Sequence, residues 1–161
     1  MSAIFSDCQK HRFRLERQLE GNKVVVAVFG VNPSTADSVN NDSTVKKWIV
    51  FANKLEARKL IVGNMFSYIS PYVKDLATCG EVTNIENEKH LEDIIRDADV
   101  LIACWGARSK VRAALRPYFD QLMVKLKNSN KPVYCFGYTK YGDPRHVGRI
   151  PYSTLLQLIQ K

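Results

Sequence analysis

Apolar runs at 24–31, 60–62, 100–105 and 132–136 each stop at or beside a glycine: Gly30, Gly63, Gly106 and Gly137. Short runs rich in Val, Ile and Leu and bounded by turn residues predict strands buried on both faces. Between them the apolar positions return at helical spacing. Positions 45, 48, 49, 51, 52 and 55 predict a helix over 44–55, with Asp42, Ser43 or Thr44 available as its cap. Ile85, Leu91, Ile94, Ile95 and Ala98 predict a helix over 84–98. Positions 111, 115, 118, 119, 122, 123 and 126 predict another over 111–126, and residues 153–159 predict a closing one. Ahead of the first run, residues 12–19 alternate, Phe13 and Leu15 against Arg12, Arg14 and Glu16, which is strand periodicity. Gly21-Asn22 then reads as a turn, so a β-hairpin into 24–31 is predicted. Residues 67–84, with Pro71, Gly80 and Asn84, predict an irregular loop. No internal repeat or low-complexity stretch interrupts the pattern.

Strands that alternate with helices require crossover connections. Their right-handedness lays the strands parallel with helices on both faces. The expected fold is therefore α/β and three-layered, with a central four-stranded parallel sheet and an antiparallel N-terminal hairpin. One domain over 1–161 is expected, with the hairpin strand and turn in 1–23 and the α/β core in 24–161. All four parallel strands end on the same edge of the sheet. Their tips, 30–37, 64–67, 105–110 and 137–149, should converge on one cleft, the place where open α/β sheets bind ligands.

Charge narrows the partner of that cleft. The 161 residues include 24 Lys and Arg against 16 Asp and Glu, a net charge of +8. Such a balance favours polyanions, because contacts with phosphates release counterions. The four cysteines, at 8, 79, 104 and 135, are too widely spaced for a zinc or iron–sulfur site. No metal or cofactor is expected; Cys104 and Cys135 read as buried thiols of a reduced, cytoplasmic protein. No segment approaches the roughly 20 apolar residues of a membrane span. The start of the chain, with Asp7, Lys10 and Arg12, lacks an apolar signal core. A monomer is favoured, and no membrane partner is expected.

The tips carry the chemistry. The first is Asn32-Pro33-Ser34-Thr35-Ala36-Asp37, a carboxamide, two hydroxyls and a carboxylate delivered at a strand end. The third tip runs from Trp105-Gly106 into Arg108, Lys110, Arg112 and Arg116; the fourth carries Lys140, Arg145 and Arg149. Lys46 and Lys47 extend this set. These cations are candidate phosphate contacts. The segment from Gly137 to Gly142 lacks the Gly-Lys-Ser/Thr spacing of a phosphate-binding loop, which argues against nucleoside triphosphate hydrolysis.

Read in order, the tips resemble the uracil-DNA glycosylase superfamily. Gly30-Val31-Asn32-Pro33 looks like the first motif of its mismatch-specific and single-strand-selective branches. Leu60-Ile61-Val62-Gly63-Asn64 is similar to the strand that ends in a base-reading asparagine. Ile102-Ala103-Cys104-Trp105-Gly106 is similar to the Leu-Trp-Gly strand end, and Gly142-Asp143-Pro144-Arg145-His146 stands where that family has a His-Pro-Ser loop. Here His146 is followed by Val147-Gly148, and Asn32 stands where the most active branch carries a water-activating aspartate. Asn-Pro-Ser-Thr-Ala-Asp, the Asn64 strand end, Trp-Gly, Thr139-Lys140 and His146 also resemble a bacterial and phage family, domain of unknown function 1643. That likeness runs over nearly the whole chain, Arg12 to Arg17 included.

The resemblance implies a glycosylase-like fold and a base flipped from DNA. An asparagine side chain offers one acceptor and two donors, so Asn64 is the candidate reader of the base edge. Ser34 joins it, and Phe66 or Tyr68 is the candidate stacking partner. Asn32 is the candidate that aligns water. Asp37 and Asp42 are each open to two readings, general base or helix cap. His146 is the candidate donor to the departing base. The expected function is a DNA glycosylase-like protein that binds and excises an uncommon or modified base. A non-catalytic reader of modified bases and an enzyme acting on free nucleosides or nucleotides remain the alternatives.

Overall fold

The computed structural model describes residues 1–80 and 82–159; residue 81, within the expected 67–84 loop, lies outside them. Seven strands form one sheet: β1 (Ser2–Phe5), β2 (Arg12–Gln18), β3 (Val25–Gly30), β4 (Lys59–Asn64), β5 (Val100–Ala103), β6 (Val133–Cys135) and β7 (Gln157–Leu158). Their order is β1-β2-β4-β3-β5-β6-β7. The inner four are parallel, as the alternation of strands and helices predicts. Antiparallel β1 and β2 on one side and β7 on the other widen the sheet beyond the four strands expected.

The helices α1 (Ser43–Lys54), α2 (Ile85–Asp97) and α3 (Pro117–Asn128) cover both faces. Alternation along β3 decides which side chain meets which helix. Val25, Ala27 and Phe29 pack with Leu91 and Ile94 of α2 and with Phe119, Leu122 and Leu126 of α3. Val26 and Val28 pack on the other face with Val45, Trp48, Phe51 and Ala52 of α1. Each large side chain withdrawn this completely contributes about 1.5–3 kcal/mol. Two helix starts follow their capping residues. Asp42 Oδ1 accepts from the Val45 amide at 2.8 Å, and Asn84 Oδ1 accepts from the Glu86 amide at 2.8 Å.

Three expectations are corrected. The N-terminal hairpin joins β1 to β2, not β2 to β3: Ala3 faces Leu15, and Leu15 in turn faces Val62 of β4. Gly21 is not its turn. A Cβ there would lie 2.2 Å from the Glu56 carbonyl oxygen, so glycine serves a close passage of the chain past the α1–β4 connection. The helix expected over 111–126 starts at Pro117, after separate 3-10 turns at Arg108–Lys110 and Ala113–Leu115. Proline lacks the amide needed to continue a helix and is favoured at its first position. The helix expected over 153–159 is absent; β7 pairs there with β6 through Leu158 and Tyr134.

The chain leaves β3 through α1 to β4 on one side, then returns through α2 to β5 on the other. The direction of winding therefore reverses at β3. A reversal of this kind opens a crevice beyond the carboxyl ends of the strands. Arg17, 1% exposed, holds the loop at that edge. It donates to Asn41 Oδ1 at 2.6 Å and to the Asp37 and Asn40 carbonyl oxygens at 2.5 and 3.1 Å.

Candidate functional site

A cavity of about 230 Å³ sits at this crevice, and every inner strand contributes to it. Gly30, Asn32 and Ser34 come from the tip of β3, Asn64 from the end of β4, Trp105 and Lys110 from beyond β5, and His146 from beyond β6. Asp42, Thr44 and Trp48 at the start of α1 and Arg12 of β2 complete the walls used below. The convergence of four tips expected from topology thus places Asn32, Ser34, Asn64, Lys110 and His146 around one space.

Asn64 is 3% exposed. Its backbone is fixed by register with Gly30 and by its carbonyl oxygen, which accepts from Asn87 Nδ2 at 3.1 Å. Its carboxamide has no hydrogen-bond partner among the described residues and lines the cavity. The carboxamide atoms are not sealed from solvent, so water reaches them through the cavity. A ligand that presents a donor and an acceptor takes the place of that water. Gly30 makes room for the group: a Cβ there would meet Asn64 Oδ1 at 2.9 Å and Trp48 Cη2 at 3.4 Å.

Asn32 has a divided role. Its Nδ2 donates to the carbonyl oxygens of Ser70 at 2.9 Å, Pro33 at 3.2 Å and Tyr68 at 3.4 Å. The amide half thereby ties the first tip to residues 68–70. The oxygen half accepts no hydrogen bond among the described residues.

His146 Nδ1 accepts from the Gly148 amide at 3.0 Å. A backbone N–H can only donate, so the proton of the neutral ring resides on Nε2. Burial pushes the imidazole pKa down from its ordinary value, helped by the charges of Lys110 and Lys47 and opposed by Asp42. The site therefore favours a neutral N–H donor. The ring stands edge-on to Trp48, with centroids 6.5 Å apart. Gly106, at φ +77°, lets the third and fourth tips close together, since a Cβ there would lie 3.1 Å from His146 Cβ and 3.4 Å from Lys110 Nζ.

Other candidates are placed elsewhere. Asp37 does not line the cavity. Its Oδ1 accepts from the amides of Val39 at 2.7 Å and Asn40 at 2.6 Å. Bonds from the Asn40 amide and side chain, then the Val39 amide, hold its carboxyl down at about 2, so it is a weak base. Asp42, the other aspartate weighed for proton transfer, does line the cavity. Phe66 is core, edge-on to Tyr118 and Phe119, and Tyr68 stands edge-on to His11. The aromatic walls are Trp48 and Trp105, which residue spacing presented as core. Arg108 is taken up by two carboxylates, Asp120 at 2.9 Å through two nitrogens and buried Asp143 at 2.7 Å. It clamps the last tip rather than offering a free charge. Arg112, Lys140, Arg145 and Arg149 are exposed and outside the cavity.

Arg12 escaped the sequence reading as a site residue. In an alternating strand a basic residue opposite Phe13 and Leu15 signals a solvent-facing position. Here the pairing of β1 with β2 shifts register opposite residues 12–14, Arg14 and Glu16 face Asp97 and Lys59, and Arg12, 2% exposed, donates to the Ala36 carbonyl oxygen. Among the described residues no group of three or more His, Cys, Asp or Glu side chains is placed to hold a metal ion. No described helix is long and apolar enough to cross a membrane.

Residues 12–146 match the family described as Protein of unknown function (DUF1643), and the chain belongs to that family. No curated protein and no solved structure matches it.

Proposed function

We propose that this member of the DUF1643 family binds a nucleobase extruded from nucleic acid, DNA in the first instance, and hydrolyses its glycosidic bond, on a framework of the uracil-DNA glycosylase type. The observation that carries the reading is the Asn64 carboxamide, bonded to nothing in the described protein and facing a cavity walled by Trp48 and Trp105. Extruding a base costs a few kcal/mol, which the pocket must offset. Asn64 reads the base edge and Ser34 supplies a hydroxyl beside it. Water held by Asn32 Oδ1 attacks the anomeric carbon as the bond to the base nitrogen breaks. The electron pair leaves with the base, and His146 Nε2–H stabilises the anion by a hydrogen bond. The proton of the attacking water passes to Asp42, the carboxylate on the cavity wall. Exposed Lys140, Arg145, Arg149 and Arg112, with Lys110, contact the flanking phosphates.

The test is incubation with DNAs carrying different modified bases, with released free base detected by mass spectrometry. Release by the native protein and none by Asp42→Asn, which keeps a capping side chain, supports excision. The diversion of the Asn32 amide into the loop and of Asp37 into its turn favours a second reading, a reader that binds the base without cutting. That reading gains if no base is released while saturable binding to a modified DNA persists. Absence of both release and binding ends the proposal.

A further inference from the structure

Arg12 is a buried cation that forms no direct ion pair among the described residues. Its neighbours on β2 are both provided for. Arg14 pairs with Glu16 at 2.7 Å and Asp97 at 2.9 Å. Arg17 is distributed over Asn41 and three carbonyl oxygens. For Arg12 one nitrogen, Nη1, donates to the Ala36 carbonyl oxygen. Among the described residues no carboxylate forms an ion pair with it, and its buried Nε has no partner. Burial pulls its pKa down to about 10, with Asp42 opposing, so it stays charged at neutral pH. The nearby charges of Asp42 and Asp37 offset part of the cost of burying it, and no described carboxylate pairs with it directly. The surrounding cavity carries Lys110 and neutral His146 as well, against the single carboxylate of Asp42.

We infer that Arg12 is an anion subsite within the cavity, and that the ligand carries an oxyanion, a carboxylate or a phosphate, set on the guanidinium while Asn64 engages its heterocycle. This inference rests on the base-binding reading and sharpens its substrate class. A planar guanidinium matches two oxygens of either group, and charge-assisted bonds of this kind are about twice as strong as neutral ones. An acidic substituent on the base and the phosphate of a mononucleotide are two sources of the same chemistry.

Calorimetry on the intact protein separates them with four probes: uracil, the pyrimidine carboxylate orotate, uridine and uridine 5′-monophosphate. Orotate binding at least about tenfold tighter than uracil identifies an acidic base; the monophosphate binding at least about tenfold tighter than uridine identifies a phosphate. In either case Arg12→Met should bring the anion down to its neutral counterpart, and Arg12→Lys should recover part of the gap. The native comparison stands even if the methionine variant does not fold. Equal affinity for anionic and neutral members overturns the anion subsite and leaves the base reading in place. No binding by any of the four overturns the anion subsite; the base reading falls only if modified DNA is neither bound nor cleaved.

Discussion

The sharpest test of the site is a residue whose loss should not disturb the fold. Asn64 contributes its backbone to β4, but its carboxamide bonds nothing in the protein among the described residues. Asn64→Ala should therefore leave the melting temperature within a few degrees of native. Base affinity should fall about 10- to 100-fold, the worth of one or two hydrogen bonds. Equal losses of stability and binding would assign the side chain a structural role. His146 yields a pH test. Its folded pKa lies below the ordinary 6.5. The neutral ring is therefore favoured by folding, and its stabilising contribution is complete above about 6.5 and lost as pH falls through the folded value. An NMR titration of the His146 ring should place its midpoint below 6.5, and base binding should weaken over the same interval. A midpoint at or above 6.5 removes the neutral donor from the mechanism. The two aspartates divide as well: Asp42→Asn should stop excision, whereas Asp37→Asn, altered outside the cavity, should leave it running.

Elements hold the tips in place, and the clearest brace is Arg108. It links the turn after β5 to Asp120 of α3 and to Asp143 of the last tip, itself 1% exposed. Arg108→Ala would leave buried Asp143 with the residue-108 backbone amide but without its ion pair. Unfolding by denaturant should show a loss of about 3 kcal/mol. DNA affinity per folded molecule should stay near native; a pure loss of affinity would restore Arg108 as a phosphate contact. Much of this architecture was readable beforehand. Four apolar runs closed by glycine marked the inner strands, Asp42 was one of three candidate caps of the first helix, and Asn84 opened the second. What escaped had physical causes. Strand β1 has four residues, too short for a period to emerge, and takes its stability from pairing with β2. Buried Val111 and Leu115 lie four apart and imitate a helix, yet the chain turns twice before Pro117. Leu155 and Leu158, 81% and 60% exposed, imitate an amphipathic face that is never buried. The four tips and their meeting at one edge followed from topology alone. Arg12 did not, because its burial depends on a register shift in the pairing of β1 with β2 and on a loop contact at Ala36 that alternation does not show.

At the scale of the whole molecule, charge and topology act on different ranges. The net charge of +8 lies partly in the exposed cations Arg112, Lys140, Arg145 and Arg149 near the cavity-bearing tips. If about four phosphates are engaged, DNA affinity should fall about a hundredfold between 50 and 200 mM salt. A flat response in a salt titration would point to free nucleosides or nucleotides as the ligand. Recognition inside the cavity should be far less salt-sensitive, because its polar groups are shielded from solvent. One bond sets the hydrogen-bond character that His146 brings to that interior. With Nδ1 of His146 engaged by the Gly148 amide, the opposite nitrogen can only offer its hydrogen outward. If a base occupies the cavity as proposed, the wall should filter lone pairs: a heterocycle whose carbonyl or unprotonated nitrogen meets it should be welcomed, and a tautomer bearing hydrogen at that point turned away.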